Sequence, residues 1–264
     1  METVFENHAE QVLEELMSIP GFKPADLPSL LSKLENGERI SPQLADFLLA
    51  ANAVMRTSTN SEAWNRIYVD TLTTYYLGGH DSPLRLTPAE AAHLIAEQSA
   101  DGRMDKGEVE LLVRLAAVAE SSPEEFKEFL MNALRQRIVS ERHISGHSVN
   151  LVSQMIFGPG GYMGSRISPE EAEFLFDLNL RLANRENDPS WSDFYVGALW
   201  WFLIHDDKSP KVVAHAEAGW LMDNLSHLRT LDANNRTLFR KLRTSGISMP
   251  SYLSKRLEEL DPGV

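Results

Sequence analysis

Apolar side chains recur along this chain about one helical turn apart, with polar stretches between the runs. Phe47, Leu48, Ala51 and Val54 form one such stripe, and Phe174, Leu175, Leu178 and Leu182 form another. The starts are marked as well. Ser41-Pro42, Thr87-Pro88, Ser122-Pro123 and Ser168-Pro169 each set a capping hydroxyl before a proline suited to the first helical position. Glu90, Glu125 and Glu171 stand where a capping box needs its carboxylate. No alternating run of useful length suggests a strand, so the pattern predicts an all-α protein of short helices joined by polar turns.

The pattern also repeats. RISPQLADFLLAAN at 39–52 aligns with RISPEEAEFLFDLN at 166–179, an offset of 127 residues, and the register continues without a gap. Trp64, Tyr68, Val69 and Leu72 fall on Trp191, Tyr195, Val196 and Leu199, while Asp105 falls on Asp232 and Pro123 on Pro250. The chain therefore reads as two tandem repeats of one helical unit, at 38–139 and 165–264. A helical N-terminal segment at 1–37 precedes them, and a linker at 140–164 joins them. The paired WNRIYVDTL and WSDFYVGAL segments have the spacing of core helices, which accounts for their aromatics more simply than a cofactor pocket does.

Composition narrows the function classes. In 264 residues, 25 Lys and Arg stand against 38 Asp and Glu, a net charge of −13. Such a balance argues against nucleic acid, whose binding relies on basic side chains displacing counterions, and favours a cation or a basic protein partner. Without cysteine there is no disulfide, thiolate chemistry, zinc finger or iron–sulfur cluster. The acidic METVFENHAEQVLEELM does not resemble a signal peptide, and the longest apolar run, Val196 to Ile204, is 9 residues. Roughly 20 are needed to span a bilayer. A cytoplasmic protein without a transmembrane segment is expected.

The stretch SADGRMDKGEVELL (99–112) poses the sharpest chemical question. Read as a twelve-residue calcium loop over 97–108, it offers Glu97, Ser99, Asp101, Asp105 and Glu108 as oxygen ligands, with Gly102 at the sharp turn. Glu97 is longer than the aspartate normally found at the first position. The same letters also make a helix start, in which Asp105 caps and Glu108 completes the box. Arg39-Ile40-Ser41, Arg85-Leu86-Thr87 and Arg166-Ile167-Ser168 share the basic, apolar, capping order of Arg103-Met104-Asp105, without a calcium loop around them. In the second repeat the equivalent stretch, NLSHLRTLDANN, has Leu228 for Asp101, Arg229 for Gly102 and Asn235 for Glu108.

With these residues in view, LTPAEAAHLIAEQSADGRMDKGEVELLVRLAAVAESSPEEFKEFL (86–130) resembles the TerB-like family of tellurite-resistance and related stress-response systems. The likeness lies in Ala100-Asp101-Gly102 after a helix, the apolar Met104, Glu108 opening the next helix and Ser-Pro-Glu-Glu at 122–125. It implies an all-helical cytoplasmic bacterial domain that binds a divalent cation or a partner, with no established enzymatic role. The family's acidic positions carry over to Asp101, Asp105 and Glu108, and the second repeat keeps only Asp232.

Other constellations are weaker. HISGH (143–147), with Glu141 ahead, would ligate a metal if both histidines shared a helix face. His205, Asp206 and His215 would suit a hydrolytic metal site. FGPGGYMGS (157–165) is glycine-rich but lacks the Gly-Lys-Ser/Thr of a phosphate loop, and reads as a connector. Together these observations predict a non-enzymatic binding or scaffold module, with a divalent cation such as calcium at 97–108. The alternative is a metal-dependent enzyme with a His/Asp site between the two repeats.

Overall fold

The computed structural model describes residues 40, 42–55, 61–78, 84–99, 104–158, 166–205, 211–226, 228 and 231–262. The chain divides into two compact units, Met1–Arg137 and Ile138–Val264. The described residues form eleven α-helices and no strand, so the all-α expectation holds. The expected N-terminal helical segment, 1–37, lies outside the described residues.

In the first unit, α1 (Pro42–Met55), α2 (Ser61–Leu77), α3 (Pro88–Ser99) and α4 (Lys106–Val118) precede α5 (Glu124–Glu141), inside which the division falls. Helix α2 packs against α1 and α4. Its Trp64, Tyr68, Leu72 and Tyr76, four residues apart and therefore on one face, are all buried, as are Leu48 from α1 and Val109, Leu112 and Val113 from α4. The aromatic spacing of α2 is thus a core stripe, as the sequence suggests. The helix starts follow local chemistry. Glu90 accepts from the Thr87 backbone N–H at 2.9 Å and hydroxyl at 2.7 Å, closing a capping box at α3.

The second unit contains α6 (Gly146–Phe157), α7 (Pro169–Leu182), α8 (Pro189–Ile204), α9 (His215–Ser226), α10 (Ala233–Thr244) and α11 (Ser251–Leu260). Helix α8 packs against α6, α7, α9 and α10, and α9 also meets α11. The stretch expected to be a linker, 140–164, is therefore more than a connection. Within it α6 buries Val149, Leu151, Val152, Ile156 and Phe157. The glycine-rich letters that suggested a linker begin only at its end, where Gly158 is the C-cap.

Each unit builds the same local features 127 residues apart. Leu84 and Lys211 both adopt positive φ, 59° and 64°, a conformation non-glycine residues seldom take. Their N–H groups close back on the preceding helix, Leu84 on the Leu77 carbonyl at 3.0 Å and Lys211 on that of Ile204 at 3.3 Å. Isolated parallel bridges then pair Arg85 with Ser121 and Val212 with Ser248. Among the described residues no helix is long and apolar enough to cross a membrane.

Candidate functional site

The polar residues that stand out within each unit form a chain linking three helices. In the first unit the Trp64 indole N–H on α2 donates to Asn52 Oδ1 on α1 at 2.8 Å, and Asn52 Nδ2 donates to Asp105 Oδ2 at 2.7 Å. Asp105 is the N-cap of α4. Its Oδ1 accepts the Glu108 N–H at 2.9 Å, and Glu108 Oε2 accepts the Asp105 N–H at 2.7 Å, a complete capping box. Such a chain orients groups whose burial would otherwise be costly: Trp64 and Asn52 are each 1% exposed, and burial without a partner costs free energy.

The second unit repeats this clamp with different accessories. Trp191 donates to Asn179 and Asn179 to Asp232, each at 3.2 Å. Asp232 caps α10 through the N–H groups of Asn234 and Asn235 at 2.9 and 3.1 Å, and also accepts from the Asn235 amide. Asn234 adds a donor to Asn179 Oδ1 at 2.8 Å, and Tyr195 donates to Asn235 Oδ1 at 2.8 Å. Where the second unit has Asn234, the first has Gly107. A Cβ at Gly107 would lie 2.9 Å from Asn65 Oδ1, whereas the residue equivalent to Asn65 is the smaller Ser192.

The five residues expected to ligate calcium are not all drawn into this cluster. Asp105 and Glu108 meet through the cap, as the helix-start reading required. Glu97 and Ser99 are exposed at the end of α3, and Asp101, with Gly102, lies outside the described residues. Among the described residues no group of three or more His, Asp or Glu is arranged to hold a metal.

Gln98, which the sequence reading overlooked, lies beside this cap. It is 3% exposed, and both of its amide atoms are buried without a hydrogen-bond partner. The neighbouring Tyr68 hydroxyl is near enough to feel the amide, yet no hydrogen bond of good geometry closes between them. Burial pushes the Tyr68 hydroxyl well above the ordinary phenol range, reinforced by the charges of Glu108 and Asp105. The hydroxyl stays neutral at physiological pH. Tyr195 is likewise raised, by burial first and by Asp232 second. The equivalent of Gln98 is Leu225, fully buried, and that of Glu108 is Asn235. Comparing the two copies position by position was the signal that would have singled out Gln98.

The remaining sequence candidates fall at helix ends. Helix α5 ends at Glu141, Arg142 turns the chain at φ 61°, and α6 begins at Gly146 with Ser145 as its N-cap. His143 and His147 consequently do not share a helix, and the two-histidine metal reading fails on that ground. His143 instead meets the Glu141 carbonyl at 2.9 Å. His205 is the C-cap of α8, stacked on Trp201, and His215 opens α9 beside the Tyr252 hydroxyl at 3.4 Å. Asp206, the third residue proposed with them, lies outside the described residues, as do 159–165 of the glycine-rich stretch.

No family model, curated protein or solved structure matches the chain.

Proposed function

We propose that the chain is a pair of TerB-like helical units acting as a non-enzymatic binding or scaffold module, with a divalent-cation site in the first unit at 97–108. The observation that carries this reading is the contrast at Gln98. The second unit builds the same tryptophan–asparagine–aspartate clamp with Leu225 in place of Gln98 and Asn235 in place of Glu108, so the clamp itself does not require a buried amide at 98. Polar atoms kept in a core beyond structural need are suited to a ligand. The resemblance at 86–130 supports the same region, and the net charge of −13 favours a cation or a basic protein as the bound species.

A cation here would draw on Glu97, Ser99 and Asp101 and compete for carboxylate oxygens of Asp105 and Glu108 that now serve the α4 cap. Binding is therefore expected to be weak. Calorimetric titration with calcium, magnesium, manganese and zinc should give saturable heat with at least one of them, abolished in Asp101→Ala/Glu108→Gln. No heat, or the same heat in the variant, would remove the cation from this reading while leaving the module intact.

A further inference from the structure

A second, chemically different site lies in the second unit. The start of α7, the end of α8 and the first turn of α9 line a half-open pocket of about 290 Å³ whose walls include Arg166, Ser168, Trp201, Phe202, His205 and Glu217. Its walls bring together an aromatic surface, a guanidinium and a carboxylate.

Glu217 is the informative member. Its equivalent in the first unit, Glu90, is held by the Thr87 backbone N–H and hydroxyl, at 2.9 and 2.7 Å. In the second unit Ala214 stands in the place of Thr87, so the hydroxyl that would hold Glu217 is gone, yet the carboxylate is retained. Glu217 Oε2 is buried without a hydrogen bond. An oxygen that loses hydration without gaining a donor leaves its carboxylate under-compensated, and a positive group in the cavity restores the balance.

Two members of the ring-bearing wall, Trp201 and His205, are particular to this unit, while Phe202 matches an aromatic in the first. Trp201, Phe202 and His205 stand where the first unit has Thr74, Tyr75 and Gly78. The wall is braced: Trp201 and His205 stack with their planes 17° apart, and Phe202 meets the edge of Trp220 at 4.9 Å between centroids. Trp220 in turn donates to Glu173 at 3.1 Å. Indole and phenyl faces attract an ammonium group, while an exposed guanidinium recognises a carboxylate.

We propose that this cavity binds a small organic zwitterion, an ammonium and a carboxylate joined by a short apolar stem. Glu217 and the aromatic wall receive the ammonium and Arg166 the carboxylate. The site goes beyond the module reading and does not depend on a cation at 97–108.

The test uses the full chain and 5-aminopentanoate as probe, followed by calorimetry and tryptophan fluorescence, with n-pentylammonium, pentanoate and n-pentanol as analogues. Saturable binding of 5-aminopentanoate is expected, with each singly charged analogue weaker by about tenfold or more and the alcohol inert, since each charge-assisted contact contributes on that scale. Glu217→Gln should reduce affinity for 5-aminopentanoate and n-pentylammonium by about tenfold and leave pentanoate unchanged. Arg166→Gln should show the converse. Absence of saturable binding up to about 10 mM, weaker than any specific site of this chemistry, would overturn the proposal. So would equal binding of all four probes. Should Glu217→Gln fail to fold, the analogue series on the unaltered chain decides alone.

Discussion

Trp64→Ala should destabilise the protein more than Trp191→Ala, although both remove a buried indole from equivalent positions. Each truncation opens a cavity in a core where the side chain is 1% exposed, a change that costs about 3–5 kcal/mol. The two differ in what remains. Asn179 Oδ1 keeps the Asn234 amide as a donor at 2.8 Å after Trp191 is lost. Asn52 Oδ1 has Gly107, not an asparagine, at the corresponding place and loses the indole at 2.8 Å, which adds the roughly 1–3 kcal/mol of a buried acceptor left without its partner. Urea unfolding followed by far-UV circular dichroism should show the larger fall in midpoint for Trp64→Ala. Equal falls would mean that the hydrogen bond from Trp64 to Asn52 contributes nothing net.

The second large effect is expected at Asp232. Its carboxylate accepts from the N–H groups of Asn234 and Asn235 and from the side-chain amides of Asn179 and Asn235. Replacing it with alanine removes a helix cap, at about 0.5–2 kcal/mol, and leaves buried amides without an acceptor, at about 1–3 kcal/mol. A combined loss of about 1.5–5 kcal/mol reaches, at its upper end, the whole stability of a marginal domain. Asp105→Ala should cost less, because one side-chain amide, that of Asn52, depends on it. If thermal unfolding ranks Asp105→Ala as the more damaging, the clamp is not the main role of these aspartates.

Much of this architecture was legible from local pattern. Ser168 before Pro169, with Glu171 three residues on, is a helix start whose chemistry closes within one turn, and the structure makes that box. The buried stripe Trp64, Tyr68, Leu72 was legible for the same reason, since helical spacing places those residues on one face. Asp105 and Glu108 show where local reading divides. Their capping geometry follows from adjacent letters, but the bond from Asn52 to Asp105 spans 53 residues and no periodicity announces it. Asn52 and Asn179 do end the two aligned RISP segments, a coincidence whose physical meaning emerges only when α1 and α2, and likewise α7 and α8, pack. Helix α6 was hidden by the glycine-rich stretch that follows it. The cavity beside Glu217 was invisible because its wall is assembled from three helix ends, and its signal is the lost hydroxyl at Ala214.

The central claim is that one polar clamp, tryptophan to asparagine to a helix-capping aspartate, is built twice, once in each unit. Hydrogen exchange of the five tryptophan indoles in the full chain, read by nitrogen–proton correlation spectra, tests this most directly. The Trp64 and Trp191 indoles, buried and bonded to asparagine, should exchange far more slowly than that of Trp220, whose partner Glu173 is exposed. Asn52→Leu should release Trp64 alone, and Asn179→Leu Trp191 alone. Five indoles exchanging at similar rates, or protection of Trp64 and Trp191 unaffected by either substitution, would contradict the account.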